Sequence, residues 1–587
     1  MTNGELYQFG PFTLDVAERR LSREHECVHL APKAHDVLVA LVRQAGKLVT
    51  KRELLEQVWP DAFVEEGILT VHISTLRKAL GEVSRRPVCI ETVSRSGYRF
   101  IAPVTARGVS RDGQSGRWSI AVLPARGRTT QASERERSVG LALADAIIDR
   151  LGRFDRIVMR PTRAVHAAVG TDRDPVAIAR SLGVDAIVDS RFIGGGDDVR
   201  LSVRLVGARD GACLWSGEFV EPATQPGALS DVVAGSIAQY LGVSRAAAGA
   251  NVGGRGRDHE TSPRFTGPEL YELVGRGRAH LLSASIFEIP NAVAAFRKAI
   301  ELDPTYAAAL AGLALACCSQ AALRAAPPAE SYAEAKAAAL RALAMDDSCA
   351  DAQVALGAVL FFSEWDWSGA KRSLERAIEL NPNHTEGYLL YGQVLEAVGS
   401  VERGLEAKWK ALERDPFSPL VHLEIALSYF YQRRYDDTIE WANKTLELDP
   451  RHLLAREILA GAYWKKGDFD RHMAENIKHA ESFGVPPQVL EPVKQAYATG
   501  GRAGVTRYAL QHATSQPRPA PPLQMAILHA DVGELDEALR HLDLAIDSRD
   551  PCLVQMAVGP QFDSFRGDPR FRECLARMRL SDGVGSC

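Results

Sequence analysis

The sequence predicts a multidomain protein made of an α+β domain, an α/β domain and an all-α superhelix. Strand and helix patterns alternate over residues 1–104 and, in a different order, over residues 118–243. From residue 268 onward the pattern is almost wholly helical, and an acidic residue or Asn followed by Pro ends successive helices. Three of these endings, at Asn381, Asp415 and Asp449, lie 34 residues apart. A chain of 587 residues also exceeds one hydrophobic core, since single cores stop growing beyond about 250–300 residues.

Two polar stretches that contain Gly and Ser separate these parts. Residues 105–117 and residues 244–267 are predicted to be linkers, the second of them flexible. The predicted domains are therefore residues 1–104, 118–243 and 268–587.

The composition is that of an ordinary soluble protein. The net charge of -4 leaves nucleic-acid binding open, because a small basic surface is easily hidden in a large neutral chain. No apolar run reaches the roughly 18–20 residues that span a bilayer, and the N-terminus lacks a secretory signal pattern, so we expect a cytoplasmic protein without membrane contact. The nine Cys residues are scattered without a CxxC pair, so we expect reduced thiols, no metal site and no cofactor.

The N-terminal part predicts four short strands followed by helices. Pro32 suits the first turn of a helix over residues 34–44, whose apolar residues recur on one face. Thr50 is the predicted N-cap of the helix KRELLEQVW, and Glu53, three residues further on, completes a capping-box pattern.

Residues 65–103 are the most informative stretch, because they predict a polar helix followed at once by a basic hairpin. In EEGILTVHISTLRKALG we expect Ile68, Val71, Leu76 and Leu80 to lie near one buried face. CIETVSRSGYRF consists of two short runs joined at residues 94–97, the pattern of a hairpin with cationic tips. Such a pair of elements is suited to contact DNA in two grooves. The residues expected to contact DNA are Thr70, His72, Ser74, Thr75, Arg77 and Lys78 on the helix and Arg95, Tyr98 and Arg99 on the hairpin.

The chemistry of these side chains indicates different roles. The hydroxyl residues of the helix suit base edges or phosphates, and the cationic ones suit phosphates, to which His72 also donates. Arg77 would reach a guanine if it lies on the groove side. Arg95 suits a narrow A·T-rich minor groove with enhanced negative potential. Tyr98 and Arg99 would brace the hairpin or touch the DNA backbone.

The strings LVTKRELLEQVW, TVHISTLRKALG and TVSRSGYRF resemble the OmpR-type winged-helix family of bacterial transcriptional regulators. The resemblance covers nearly all of residues 6–103. It implies a positioning helix at 50–59, a recognition helix at 68–80 for the major groove and a wing at 95–99 for the minor groove. Ser94 stands where many relatives carry Arg, so the base preference of the family does not transfer. We expect no phosphoacceptor receiver domain before this domain, and we expect control to come from residues 118–587.

The strings SIAVLP, LGVDAIVDSRF and VRLSVRLV in the middle part resemble the α/β domain of TolB-like proteins, which implies protein contacts or ligand sensing and no enzyme. The run from Gly194 to Asp198 predicts a hairpin turn rather than a phosphate-binding loop, because the Lys and the following helix of such a loop are missing. Asp185 and Asp189 are predicted to lie on a solvated strand face.

The C-terminal period and its small residues resemble the tetratricopeptide repeat, a helix–turn–helix unit. Residues 522–551 predict a further unit and residues 568–580 a closing helix. Such arrays have a concave face, where we expect a protein or peptide partner. A spacer or a self-association surface is the alternative, and the sequence leaves open a homodimer on DNA.

The favoured interpretation is a regulator that binds double-stranded promoter DNA, with a domain order that resembles the HilA-type regulators. The alternative is a scaffold or adaptor whose repeats bind proteins and whose winged helix mediates only protein contacts. A third interpretation, an enzyme with its chemistry in residues 118–243, has no recognised catalytic motif to support it.

Overall fold

The computed structural model divides the chain into two compact units, residues 1–116 and residues 117–587. The residues that it describes are 6–9, 12–15, 20–23, 26–28, 30–44, 48–58, 67–80, 89–93, 96–102, 105–107, 117–127, 133–154, 156–168, 174–194, 198–222, 226–243, 268–283, 285–482, 484–515 and 520–580. Most of both predicted linkers lies outside these residues, as do Ser94 and Arg95.

The first unit has the strand and helix order predicted for a winged helix. Two antiparallel sheets, of order β4-β3-β2-β1-β8 and β5-β7-β6, enclose one core with three helices. Residues 105–107, the predicted start of a linker, instead form a strand that pairs with β1. The elements are β1 Leu6–Phe9, β2 Phe12–Asp15, β3 Arg20–Arg23, β4 Glu26–Val28, α1 Pro32–Arg43, β5 Leu48–Thr50, α2 Lys51–Val58, α3 Gly67–Ala79, β6 Ile90–Val93, β7 Gly97–Phe100 and β8 Thr105–Arg107.

The second unit begins with an α/β block. Its sheet has the order β10-β9-β11-β12-β13, in which β9 runs parallel to both of its neighbours and the remaining pairs are antiparallel. Helices α4 and α7 pack on one face of the sheet and helices α5 and α6 on the other. The elements are β9 Trp118–Val122, α4 Glu134–Gly152, β10 Ile157–Met159, α5 Thr162–Ala168, α6 Pro175–Ser181, β11 Ala186–Gly194, β12 Asp198–Gly207, β13 Cys213–Pro222 and α7 Pro226–Tyr240.

The prediction that Asp189 is solvated is wrong, and Asp185 is half-buried and hydrogen-bonded. The carboxylate of Asp185 accepts hydrogen bonds from the backbone and the hydroxyl of Ser119, at 2.9 and 2.7 Å. Asp189 is only 1% exposed, because the side chains of Arg126 and Arg204 form ion pairs with its two oxygens. Because side chains alternate along a strand, the sequence predicts which face of the sheet a residue lies on. It does not predict which side chains cover that face.

The rest of the second unit is a stack of helix pairs, as the repeat period predicts. The predicted endings at Asp303, Asn381, Asp415 and Asp449 are confirmed as helix C-caps. The pairs are α8 Pro268–Leu282 and α9 Ile289–Leu302, α10 Ala307–Ala322 and α11 Pro328–Met345, α12 Ala350–Val359 and α13 Trp367–Leu380, α14 Thr385–Ala397 and α15 Val401–Arg414, α16 Pro419–Tyr431 and α17 Tyr435–Leu448, α18 Leu453–Lys466 and α19 Phe469–Ser482, and, after a kinked α20 Pro487–Ser515, α21 Pro522–Asp531 and α22 Leu535–Asp547. The closing helix is α23 Pro569–Arg577.

The loops between successive helix pairs pack on the α/β block. The side-chain amide of Asn383 donates to the carbonyl oxygens of Gly152 and Ile157, at 2.9 and 2.8 Å. Its carbonyl oxygen accepts from the backbone of Met159 at 3.0 Å. Because a single Asn satisfies three backbone groups of the block, the repeats hold the end of α4 and strand β10 in place.

The C-terminal segment, residues 549–580, packs along the repeats. Its backbone carbonyls accept hydrogen bonds from Trp367 Nε1 at 2.9 Å, Arg433 Nη1 at 2.9 Å and Lys465 Nζ at 2.7 Å. Its apolar side chains join a core that includes the inner helix α16, of which every residue from Val421 to Tyr431 is buried. The expected concave partner surface is therefore not open at α16, because the chain itself covers this helix.

Among the residues that the structure describes, no helix combines the length and the apolar character that a bilayer crossing requires.

Asp415 is a buried carboxyl group at the end of α15, in the position that Asn381 occupies in the preceding helix pair. It is 4% exposed, and burial together with the nearby carboxylate of Glu386 raises the pKa of Asp415 to about 6. A pKa that is higher in the folded than in the unfolded chain gives stability at low pH. That contribution is lost as the pH rises through about 6.

We expect Asp415→Asn to remove this part of the pH dependence of stability. Relative to the variant, the free energy of unfolding of the wild type should fall by about 2 kcal/mol between pH 4 and pH 8. Urea unfolding of the full chain at both pH values measures this difference. Asp347→Asn, at an exposed site, is the matched control and should leave the pH dependence unchanged. A difference between wild type and Asp415→Asn that is the same at both pH values would contradict the account.

Candidate nucleic-acid interface

Helix α3 buries one stripe of apolar side chains in the core of the first unit. The stripe consists of Leu69, Ile73 and Leu76 and continues to Leu80 beyond the helix end. The prediction that Ile68 and Val71 share this face is wrong, and Val71 is 63% exposed. The observed spacings of four, three and four residues follow the 3.6-residue turn of a helix, whereas the predicted set contains a gap of five.

The opposite side of α3 is an exposed stripe, which we call the α3 stripe, and most of its members are polar. The hydroxyl of Thr75 donates to the backbone carbonyl of Val71 at 3.0 Å, so its oxygen remains available as an acceptor. Val71 is the apolar member that the sequence interpretation missed, and the regular spacing of the buried stripe would have identified it. The α3 stripe consists of Thr70, Val71, Ser74, Thr75 and Lys78.

Arg77 is half-buried and does not belong to the α3 stripe. Its Nη2 donates to the carbonyl oxygen of Ile90 at 2.8 Å and to the hydroxyl of Thr92 at 2.7 Å. Both acceptors belong to β6, so Arg77 ties α3 to the hairpin. In this geometry Arg77 supports the interface, whereas the sequence suggested a contact with phosphates or guanine.

The hairpin of β6 and β7 is stabilised by contacts within itself and with strand β5. Tyr98 is buried at 5% exposure, as expected for a residue that braces the hairpin. Arg99 lies directly opposite Glu91 and pairs with it at 3.1 Å. Gly97 has no room for a side chain, because a Cβ there would collide with the carbonyl oxygen of Val49. The tip residue Arg95, predicted to contact the minor groove, lies outside the described residues.

His72 is half-buried at the edge of the interface. Burial and then the positive charge of Lys33 lower the pKa of the His72 imidazole. The neutral ring is therefore the dominant form at neutral pH.

Helix α2 begins with the predicted capping box. The Thr50 hydroxyl accepts from the Glu53 backbone at 3.2 Å, and the Glu53 carboxylate accepts from the Thr50 backbone at 2.8 Å. These hydrogen bonds lower the pKa of Glu53 and satisfy backbone donors at the start of the helix. The backbone of Lys51 also donates to Ser96 of the hairpin at 3.3 Å. Helix α2 is thus fixed to the hairpin at its first residue.

Comparison with known families supports this geometry. Residues 24–100 match the family described as "Transcriptional regulatory protein, C terminal", and residues 423–474 match a tetratricopeptide repeat. The N-terminal domain is an OmpR/PhoB-type winged helix. The chain is a transcriptional regulator with this DNA-binding domain at one end and tetratricopeptide repeats at the other.

Relatives of two kinds are similar to this chain. The transcriptional regulator HilA of Salmonella typhi is 25% identical over 454 residues, which cover 77% of this chain and 78% of HilA. The KDP operon transcriptional regulatory protein KdpE of Escherichia coli is 38% identical over 97 residues, 16% of this chain and 43% of KdpE. The DNA-binding domain of E. coli CadC is 28% identical, with a TM-score of 0.17 over 18% of this chain and 99% of that domain.

Arg77→Ala should loosen the hairpin without removing an exposed cation from the α3 stripe. Loss of two hydrogen bonds from a charged donor costs about 1.5–3 kcal/mol. Hydrogen exchange at the amides of residues 90–100 should therefore accelerate in the full chain. Lys78→Ala, one residue further along the helix and exposed, is the control and should leave this exchange unchanged. Equal exchange in wild type and Arg77→Ala would show that Arg77 does not brace the hairpin.

Proposed function

We propose that the α3 stripe reads promoter DNA in the major groove while the hairpin contacts the neighbouring minor groove. The observation that carries this proposal is the separation of the two faces of α3. Its apolar stripe is fully engaged in the core, and five adjacent exposed positions carry side chains that suit base edges and phosphates. A helix of this width fits the major groove of B-DNA.

The members of the α3 stripe differ in what they offer to DNA. Thr70, Ser74 and Thr75 supply short hydroxyl groups for base edges or phosphates. Lys78 supplies a cation for a phosphate, and Val71 supplies an apolar surface for the methyl group of a thymine. His72 would donate to a phosphate from the edge of the stripe.

On the hairpin, Arg95 is the proposed minor-groove residue, because a cationic tip suits the negative potential of a narrow groove. Arg99 and Tyr98 would act indirectly, since both are engaged within the hairpin. Promoter DNA of a bacterial cell lies in the cytoplasm, so we propose that the protein acts there.

The second unit is proposed to supply the regulatory input. We infer a TolB-like block over residues 118–243 and a protein-binding role for the repeats. The block has parallel strands β9, β10 and β11 followed by the long antiparallel strands β12 and β13, in agreement with the order of patterns that suggested the likeness. Because α16 is covered, a protein partner would bind repeat surfaces other than the inner face of this helix.

Lys78→Ala tests the phosphate contact. Removal of one phosphate-binding cation should weaken DNA binding by a similar factor for all sequences and reduce the slope of log K against log salt by about 1. Fluorescence anisotropy of the full chain with labelled promoter DNA over a salt series measures both effects. Lys298→Ala, exposed on α9, is the control. An unchanged salt slope for Lys78→Ala would exclude Lys78 from the DNA contact.

Val71 is tested by removing the thymine methyl group from the DNA. Replacement of each dT in the bound site by dU should weaken wild-type binding by about fourfold at one position, the value of one buried methyl group. Val71→Ala should bind the unmodified DNA more weakly and should lose its sensitivity to dU at that position. Identical dU profiles for wild type and variant would place Val71 outside the groove.

A further inference from the structure

Among the residues that the structure describes, one face of the sheet in the α/β block is covered over only part of its area. Helices α5 and α6 pack on the part formed by Ala121, Ile187 and Val206. Since alternate residues of β11 share a face, Asp189 and Arg191 continue the face of Ile187 beyond these helices. This exposed part lies toward the carboxyl ends of the parallel strands β9 and β11, the edge at which α/β sheets commonly bind ligands.

Two guanidinium groups are held side by side on this face by one carboxylate. Nη2 of Arg126 lies 2.5 Å from Oδ1 of Asp189, and Nη2 of Arg204 lies 2.6 Å from Oδ2. The carboxylate is buried, while the side chains of Arg126 and Arg204 remain 27% and 50% exposed. Each guanidinium carries five N–H donors, so both arginines retain donors that reach solvent.

A third arginine stands next to this pair. The backbones of Arg126 and Arg191 are bridged, since Arg126 accepts from Phe192 at 2.8 Å and donates to Ser190 at 2.9 Å. Arg191 is exposed, and within the described part of the chain no carboxylate lies within 4 Å of its guanidinium. The adjacent position on β12 is Ser202, an exposed hydroxyl residue that lies directly opposite Arg191.

The charges of this cluster do not cancel. Arg126, Arg191 and Arg204 carry three positive charges on this face beside the single carboxylate of Asp189, so two positive charges remain. Glu218 on the same face lies opposite Ser202 on β13, one strand further from Arg191. Like charges that are kept together at a surface raise the energy of the folded chain unless an anion joins them. A phosphate dianion matches both the excess charge and the bidentate geometry of arginine.

We propose that Arg126, Arg191 and Arg204, oriented by Asp189, form a binding site for a small molecule that carries a phosphate group. Arg126 and Arg204 would donate to one side of the phosphate, while Arg191 and the hydroxyl of Ser202 would donate to the other. The site lies in the same compact unit as the repeats and apart from the DNA-reading domain in the sequence. It gives the regulator a chemical input that is independent of the proposed contacts with DNA.

Isothermal titration of the full chain with inorganic phosphate and with pyrophosphate, at constant ionic strength set by chloride, tests the proposal. We expect one site per chain and tighter binding of pyrophosphate. Arg191→Ala, which changes only an exposed side chain, should weaken binding about tenfold or more, because a charge-assisted hydrogen bond is lost. Arg204→Ala should act in the same direction. Arg209→Ala, exposed at the turn between β12 and β13, is the matched control and should bind like the wild type.

Three results would overturn the proposal. The first is no binding of either anion by the wild type. The second is an equal loss of binding in Arg191→Ala and Arg209→Ala, which would indicate a general charge effect. The third is weaker binding to promoter DNA by Arg191→Ala together with unchanged binding of both anions, which would assign this face to the DNA backbone instead.

Discussion

The burial of Leu69, Ile73 and Leu76 is the constraint on which the proposed DNA-reading surface depends. These side chains fix the rotation of α3 about its own axis, since a helix with one face in the core has no freedom to turn. The same burial decides that Val71 and Lys78 are exposed. A change of one residue in the helical phase would rotate the helix by about 100° and bring part of its apolar stripe to the surface.

The hairpin depends on that helix in turn. Arg77 is the link, because it leaves the α3 stripe and donates to the carbonyl of Ile90 and the hydroxyl of Thr92. Helix and hairpin therefore form one surface in which each element determines the position of the other. Arg77, which the sequence suggested as a DNA contact, thus supports the hairpin of the proposed interface instead.

The sequence predicted the elements well, because periodicity and capping are local properties. The capping box of Thr50 and Glu53, the hairpin around Gly97 and the helix endings at Asn381 and Asp415 are confirmed in the structure. What it missed depends on packing between distant segments. The exposure of Val71 required the correct helical phase, the burial of Asp189 required two arginines 63 and 15 residues away, and the covering of α16 required a segment more than 100 residues further along.

The most direct test of the central claim is the protection of the α3 stripe by DNA. A Cys introduced at position 71, 74 or 78, in a full chain whose nine native Cys are replaced by Ser or Ala, can be alkylated with and without promoter duplex. We predict that the duplex slows alkylation at all three positions and leaves Ile101→Cys, an exposed control in the same unit, unaffected. Bound DNA that leaves the three stripe positions as reactive as in the free protein would contradict the account.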